Sequence, residues 1–253
     1  MISCTETKGR HCTASRLRLP ERHSRSAPGA HRDRAVPLRY VQNMSSGVVV
    51  GEDGRQRCGW AASTAEYRAY HDGEWGRPVG DELRIYEKLC LEGFQAGLSW
   101  ITILRKRPAF RRAFADFDPE RVAAFGPDRV EELVTDAGIV RHRGKIEAAI
   151  TNARAVLGLH ARGLSLAGLV WSHRPATETA PTSAGDLEAS TAQSKRLSRQ
   201  LREHGFAFVG PTTVYSAMQS LGVVNDHLIG CEWREVCEAD RRLFATPSEH
   251  RIV

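Results

Sequence analysis

Apolar side chains return every three or four positions along most of this chain, and few segments alternate with period two over strand lengths. Asp81 stands ahead of Leu83, Ile85, Tyr86, Leu89 and Cys90, which predicts a capped helix ending at a turn punctuated by Gly93 and Gly97. Ser99 can cap a second helix carrying Trp100, Ile103 and Leu104, with Phe110 and Phe114 continuing its apolar face beyond Pro108. Asp118-Pro119, a cap followed by a first-turn proline, starts a third. Val130, Leu133, Val134 and Ala137 line the next, which stops at Gly138, and Ile146, Ile150, Ala153 and Leu157 line another ending near Gly158 or Gly163. Leu197 and Leu201 mark a helix stopped at Gly205, and Gly210-Pro211 opens one holding Val214, Tyr215 and Met218. The expected fold class is all-α.

Two stretches lack this periodicity. Residues 172–192 gather Pro, Thr, Ser, Ala and Gly and read as a flexible loop. The apolar faces on either side have no partner in sequence, so the flanks should pack together around it. Residues 1–52 are rich in Arg, Ser, His and Gly and read as a disordered, dispensable basic head. An Arg-rich, acid-poor segment also suits an organelle transit peptide, but it shows no amphipathic period, and Met44 offers an alternative start. The folded domain then spans 53–240, followed by a C-terminal tail, 241–253.

At 253 residues, 41% hydrophobic and 26% charged, the chain can build one large domain or two small ones. Its formal charge of +6 is carried entirely by the head, which has nine Lys and Arg against three acids before Met44. The remainder is balanced, so a nucleic-acid face there must come from local clustering. The six cysteines are sparse and widely spaced, which makes a reducing cytoplasm the expected compartment, and no membrane span is visible.

Glu92 falls three residues past Leu89 and seven past Ile85, on the apolar side of its helix. An unpaired buried carboxylate costs several kcal/mol or takes up a proton, so Glu92 needs a cationic or donor-rich partner; an ordinary buried ion pair or a helix-end cap explains it equally well. His227 and Cys231, four apart, share one face of a helix and have ligand spacing. With Cys58 and His71 far upstream they would complete a tetrahedral zinc site with no open position, although a lone H-x-x-x-C pair is a weak signal. Cys90 and Cys237 read as a core thiol and an exposed bystander. The 205–210 turn between two short helices either leaves N–H groups for a phosphate or is a packed corner without ligand. Arg141, His142, Arg143 and Lys145 form a basic cluster that either contacts phosphate or is a solvated loop.

Five segments occur in one order: Arg57-Cys58-Gly59-Trp60, Tyr70-His71-Asp72-Gly73-Glu74-Trp75-Gly76, Leu91 to Trp100, Asp136 to Ile146, and Val224-Asn225-Asp226-His227. Together they resemble the 3-methyladenine DNA glycosylase I family, across roughly residues 57 to 231. The resemblance implies a helix-hairpin-helix glycosylase fold and a monofunctional enzyme that hydrolyses the N-glycosidic bond of 3-methyladenine in double-stranded, alkylated DNA, acting as a monomer. It implies one structural zinc on Cys58, His71, His227 and Cys231, joining the two ends of the domain. Carried over by motif, Glu92 is the catalytic carboxylate and contacts the extruded base. Tyr70 and Trp100 stack on that base, and Trp60, Tyr67 and Trp75 complete the wall. Gly97 and Leu98 approach the vacated DNA stack, and Gly210 contacts DNA at the hairpin. Asp226 takes a structural role beside His227, and Lys145 is not a lyase nucleophile. The 172–192 loop and the basic head depart from the family pattern. Two other classes stay open at this level: a zinc-stapled module that binds alkylated or distorted DNA without catalysis, and a zinc hydrolase with an open coordination position.

Overall fold

The computed structural model describes residues 47–250. The head assigned to residues 1–52 lies outside the described residues as far as 46. Its last residues do not: β1 (Val48–Val50) pairs antiparallel with β2 (Gln56–Cys58), Val48 opposite Cys58. Three consecutive valines are too short a run to show a period, and only pairing across the 51–55 turn makes them a strand. Helix nevertheless dominates the described residues.

After a 3-10 turn at Gly59–Ser63, the Thr64 hydroxyl accepts the Tyr67 N–H and starts α1 (Ala65–Gly73), which carries Tyr67, Tyr70 and His71. The Asp81 carboxylate accepts the Arg84 N–H and caps α2 (Glu82–Gln95). Gly97, at φ +84°, turns the chain through a conformation that side chains resist, and α3 (Trp100–Ala113) follows, running through Pro108. Ser99 occupies the N-cap, but its hydroxyl bonds Thr102 Oγ1 at 2.9 Å rather than a backbone N–H. Asp118 accepts the Glu120 and Arg121 N–H groups ahead of α4 (Pro119–Ala123), and α5 (Pro127–Thr135) leads to the long α6 (Arg143–His160). Of the two glycines proposed to end that helix, Gly158 is spanned and Gly163, at φ +69°, turns the chain away. The remaining helices are α7 (Leu166–Trp171), α8 (Ala192–Glu203), α9 (Pro211–Ser220) and α10 (Glu232–Leu243).

The main core gathers Ile85, Leu89 and Phe94 of α2 with Phe110, Ile146, Trp171, Leu201 and Met218. Helices from before and after the 172–192 excursion therefore share one interior. A second cluster, Cys58, Tyr70, Trp75, Leu228, Cys231 and Trp233, joins the beginning of the domain to its end. The turn between α8 and α9 is held from inside: Asn152 accepts the Ala207 N–H at 2.7 Å and donates to its carbonyl at 3.1 Å, and Ser198 donates to the Val209 carbonyl at 2.6 Å.

Two segments are tied down more than their composition predicts. Residues 172–191 contain only a 3-10 turn at Ala184–Asp186, yet the Pro181 carbonyl accepts the Ile229 N–H at 2.8 Å and Glu178 pairs with Arg241. The expected tail from 241 continues α10 to Leu243 and then docks on α7. Phe244 lies 4.5 Å from the Trp171 ring, and the Glu249 carbonyl accepts the Ser165 N–H at 2.8 Å. A Cβ on Gly168 would stand 2.1 Å from the Ser248 carbonyl oxygen, so glycine is required for this close approach. Gly168→Ala should destabilise the domain by about 1–3 kcal/mol and make residues 244–250 sensitive to protease. Thermal unfolding with limited proteolysis checks this, and an unchanged tail would contradict the contact.

Candidate active site and metal centre

Against α2 opens a cavity of about 380 Å³. Trp60, Tyr67, Tyr70, Trp75 and Trp100 line one side, and Glu92 and Gln95 reach it from α2. Ser216, Gln219, Asp226 and Leu228 face them, while Ala184, Leu187, Glu188 and Ala189 bring the 172–191 segment to its edge. The rings are braced against one another: Tyr70 and Trp100 lie 5.4 Å apart at 45°, Trp60 meets Trp75 edge-on at 5.1 Å, and Tyr67 edge-on at 5.7 Å. Tyr67 also accepts the Ile101 N–H at 3.0 Å, which fixes the start of α3 and hence Trp100. The buried Trp100 indole N–H has no acceptor among the described residues.

Glu92 is 5% exposed and makes no hydrogen bond or salt bridge among the described residues. Burial pushes its carboxyl up to about 7, against the pull of Lys88. Lys88 is the cation that the isolated carboxylate called for, one turn earlier on α2. Its ammonium donates instead to the Tyr70 hydroxyl at 3.0 Å and lies 4.6 Å from that ring. Burial pushes Lys88 down to about 8, and Glu92 pulls it back up. The i, i+4 spacing of Lys88 and Glu92 was visible in the sequence, but a lysine among apolar neighbours reads as a surface interruption until both are seen buried. Asp226 accepts from Tyr215 at 2.5 Å and from Gln219 at 2.7 Å, both on Oδ2, and burial raises its pKa.

Cys58, His71, His227 and Cys231 are all buried, and their ligating atoms lie within 4.8 Å of one another. Cys231 Sγ is 3.5 Å from His71 Nε2 and 3.5 Å from His227 Nδ1; Cys58 Sγ is 3.8 Å from His227 Nδ1. Tetrahedral zinc, with Zn–S near 2.3 Å and Zn–N near 2.0 Å, sets its sulfur and nitrogen ligands about 3.5 Å apart. The outer ring nitrogens are also committed. His71 Nδ1 bonds Asp72 at 2.8 Å and His227 Nε2 meets the Trp75 carbonyl at 3.1 Å, so both inward nitrogens are free to ligate. Arg57 braces Asp72 at 2.9 Å, and the Leu228 N–H points at Cys58 sulfur at 3.4 Å. Cys231 is drawn below the ordinary thiol range by hydrogen bonds from Cys58 and the two imidazoles. The donor set and its supports fit a closed metal site. Cys237, read as an exposed bystander, is fully buried beside this group, 3.8 Å from the Trp75 carbonyl, because α10 folds back over it.

The remaining positions fall outside the cavity. Gly97 and the 40% exposed Leu98 form the surface turn after α2, and Gly210 caps α9. The basic cluster divides. Lys145 donates to the Phe94 and Ala96 carbonyls at 3.0 and 2.5 Å, neutralising the C-terminus of α2 and holding that turn in place. Arg143 pairs with Glu131, and the His142 ring caps α6, so Arg141 is the exposed cation left for solvent.

Tryptophan and tyrosine thus wall a cavity around the buried Glu92, on a helical frame whose two ends meet at the Cys2His2 group. The chain belongs to the methyladenine glycosylase family, whose model matches residues 60–235. The chain is 50% identical over 179 residues to DNA-3-methyladenine glycosylase 1 of Escherichia coli K12, covering 70% of this chain and 95% of that protein. A crystal structure of 3-methyladenine DNA glycosylase I superposes with a TM-score of 0.68 at 48% identity, over 70% of this chain and 98% of the other. A tyrosine-to-phenylalanine variant of another 3-methyladenine DNA glycosylase I, in complex with 3-methyladenine, superposes with a TM-score of 0.67 at 33% identity, over 70% of this chain and 97% of the other. The binding-only module is thereby set aside. Among the described residues no helix is long and apolar enough to cross a membrane.

Proposed function

We propose that the aromatic cavity receives a 3-methyladenine flipped out of duplex DNA, and that Glu92 recognises its positive charge. The observation that carries this is the buried carboxylate without a protein partner at the floor of an aromatic cavity. Flipping costs a few kcal/mol and is easiest for a damaged, poorly paired base. Stacking on Tyr70 and Trp100 returns about 1–3 kcal/mol, and a base alkylated at ring nitrogen, being cationic, gains further against π faces.

As the glycosidic bond breaks, the base leaves neutral and its charge passes to the sugar. An alkylated base is a good leaving group, so the residues here are asked chiefly for selection and electrostatic help. Glu92 favours the cation over neutral adenine, and the surrounding rings exclude water from the base. Tyr215 and Gln219 hold the Asp226 carboxylate through Oδ2, and its Oδ1 accepts no hydrogen bond among the described residues. That arrangement suits a structural member of the pocket floor. On the outer surface, Leu98 at the tip of the turn after α2 is the residue placed to fill the gap left in the DNA stack, and the α8–α9 turn with Gly210 meets the backbone as a helix-hairpin-helix.

Zinc would be held by Cys58, His71, His227 and Cys231. It supplies a cross-link between β2, α1 and the segment before α10; with four protein ligands it has no position for water, which disfavours a zinc hydrolase. The cavity assignment is tested by tryptophan fluorescence, since Trp60, Trp75 and Trp100 all border the pocket. Titration with free 3-methyladenine should quench the emission, and Trp100→Ala should weaken binding by about 1–3 kcal/mol. Emission unchanged by the base would sink the assignment.

A further inference from the structure

The family match ends at residue 235, but α10 continues to Leu243 and buries an arginine in the body of the domain. Arg241 is 2% exposed. Its Nη1 donates to Glu178 at 3.1 Å and Glu238 at 2.8 Å; its Nη2 donates to the other Glu178 oxygen and to the Val223 carbonyl at 3.0 Å. Glu178 also accepts the Asn225 N–H at 2.9 Å, one residue before Asp226 of the cavity. Six residues beyond Glu178 begins the run Ala184 to Ala189 that forms the cavity's outer edge.

We propose that Arg241 is a positioning residue for the base pocket: by gripping Glu178 with both guanidinium nitrogens it holds the 178–189 segment as the pocket's outer wall. The inference rests on the assignment of the cavity to the base. Apart from one 3-10 turn the segment has no helix or sheet ladder, so its order depends on a few anchors, of which the Arg241–Glu178 fork and the Pro181–Ile229 bond are the principal ones. A planar fork sets the direction of a carboxylate as well as its distance, which a lysine does not. The plainer role, fastening α10 to the body, does not require Glu178. Arg77 pairs with Asp240, Asn225 Nδ2 donates to the Arg234 carbonyl at 3.0 Å, and Phe244 packs on Trp171.

The two roles separate in the double variant Glu178→Met/Arg241→Met, because replacing both partners of a buried ion pair by apolar side chains is often close to neutral for stability, whereas removing one is not. Glu178→Gln, which keeps the acceptor for Asn225, is a milder second variant, and Arg241→Lys tests the fork. Full-length proteins are compared for release of 3-methyladenine from an oligonucleotide and for amide hydrogen exchange. In the double variant KM should rise about three- to tenfold, the scale of ordering one or two side chains on binding. kcat should change little, exchange should quicken within residues 178–190, and the melting temperature should stay near that of the parent. Arg241→Lys should not restore KM. Phe244→Ala should lower the melting temperature while leaving KM unchanged. Unchanged KM and exchange in both Glu178 variants, or an equal rise of KM in Phe244→Ala, would overturn the proposal. If instead Trp100→Ala leaves binding of free 3-methyladenine intact, the pocket assignment itself has failed.

Discussion

Glu92→Gln is expected to lower kcat/KM for release of 3-methyladenine by about 10- to 10²-fold, because a contact to a charged group is worth about 1.5–3 kcal/mol. The substitution keeps the shape of the side chain and removes its charge. The loss should therefore be confined to cationic lesions, and a neutral base should bind the two proteins alike. Burial holds the Glu92 carboxyl near 7 before substrate arrives, so the free enzyme is half protonated there and kcat/KM should climb with pH through that region. The ionisable groups around it are Lys88 on its own helix, Tyr70 from α1, and Glu188 and Asp226 across the cavity.

The same group has the opposite effect on stability. Between the ordinary carboxylate range and about 7 the folded chain binds a proton that the unfolded chain has lost, so Glu92 makes folding less favourable as pH rises through that window. At pH 8 Glu92→Gln should accordingly melt higher than the parent while excising base more slowly. A rate unchanged by the substitution would remove Glu92 from its assigned role.

The second large effect is expected from preventing a metal from binding at the Cys2His2 group. Cys58 and His71 lie more than 150 residues from His227 and Cys231, and the four converge in the smaller core cluster. A bound ion closes the domain on itself, and structural zinc contributes on the order of 10 kcal/mol to folding in small zinc modules. This domain also has a large apolar core, so Cys231→Ser or removal of the ion should cost a smaller amount, at least about 4–5 kcal/mol. For a chain of this length that corresponds to a fall in Tm of more than about 10 °C. The preference for 3-methyladenine over adenine should survive in whatever fraction stays folded, because no zinc ligand other than Cys58 borders the cavity. Elemental analysis should find one zinc per chain. Metal-free protein melting at the parent temperature would show that the four side chains pack without an ion.

Most helices could be read from the sequence because their determinants are local. Asp81 and Asp118 accept N–H groups two or three residues away, and Gly97 and Gly163 turn the chain where side chains resist. What went unread depends on distant partners. Val48–Val50 becomes a strand only opposite Gln56–Cys58, Cys237 is buried only because α10 folds back, and Lys145 serves the α2 terminus rather than a phosphate.

Local sequence alone marks most of the helices between Glu82 and Ser220, the balanced charge of the folded part and, through five ordered motifs, the family. The fate of Glu92 was decided only by tertiary structure. Its nearest cation, Lys88, turns to Tyr70 instead, and whether a buried acid is satisfied depends on atoms that the chain brings together across long separations. The same holds for the wall formed by residues 184–189. In each case the chemistry arises from contacts between segments that are far apart in the chain, and no local pattern records them.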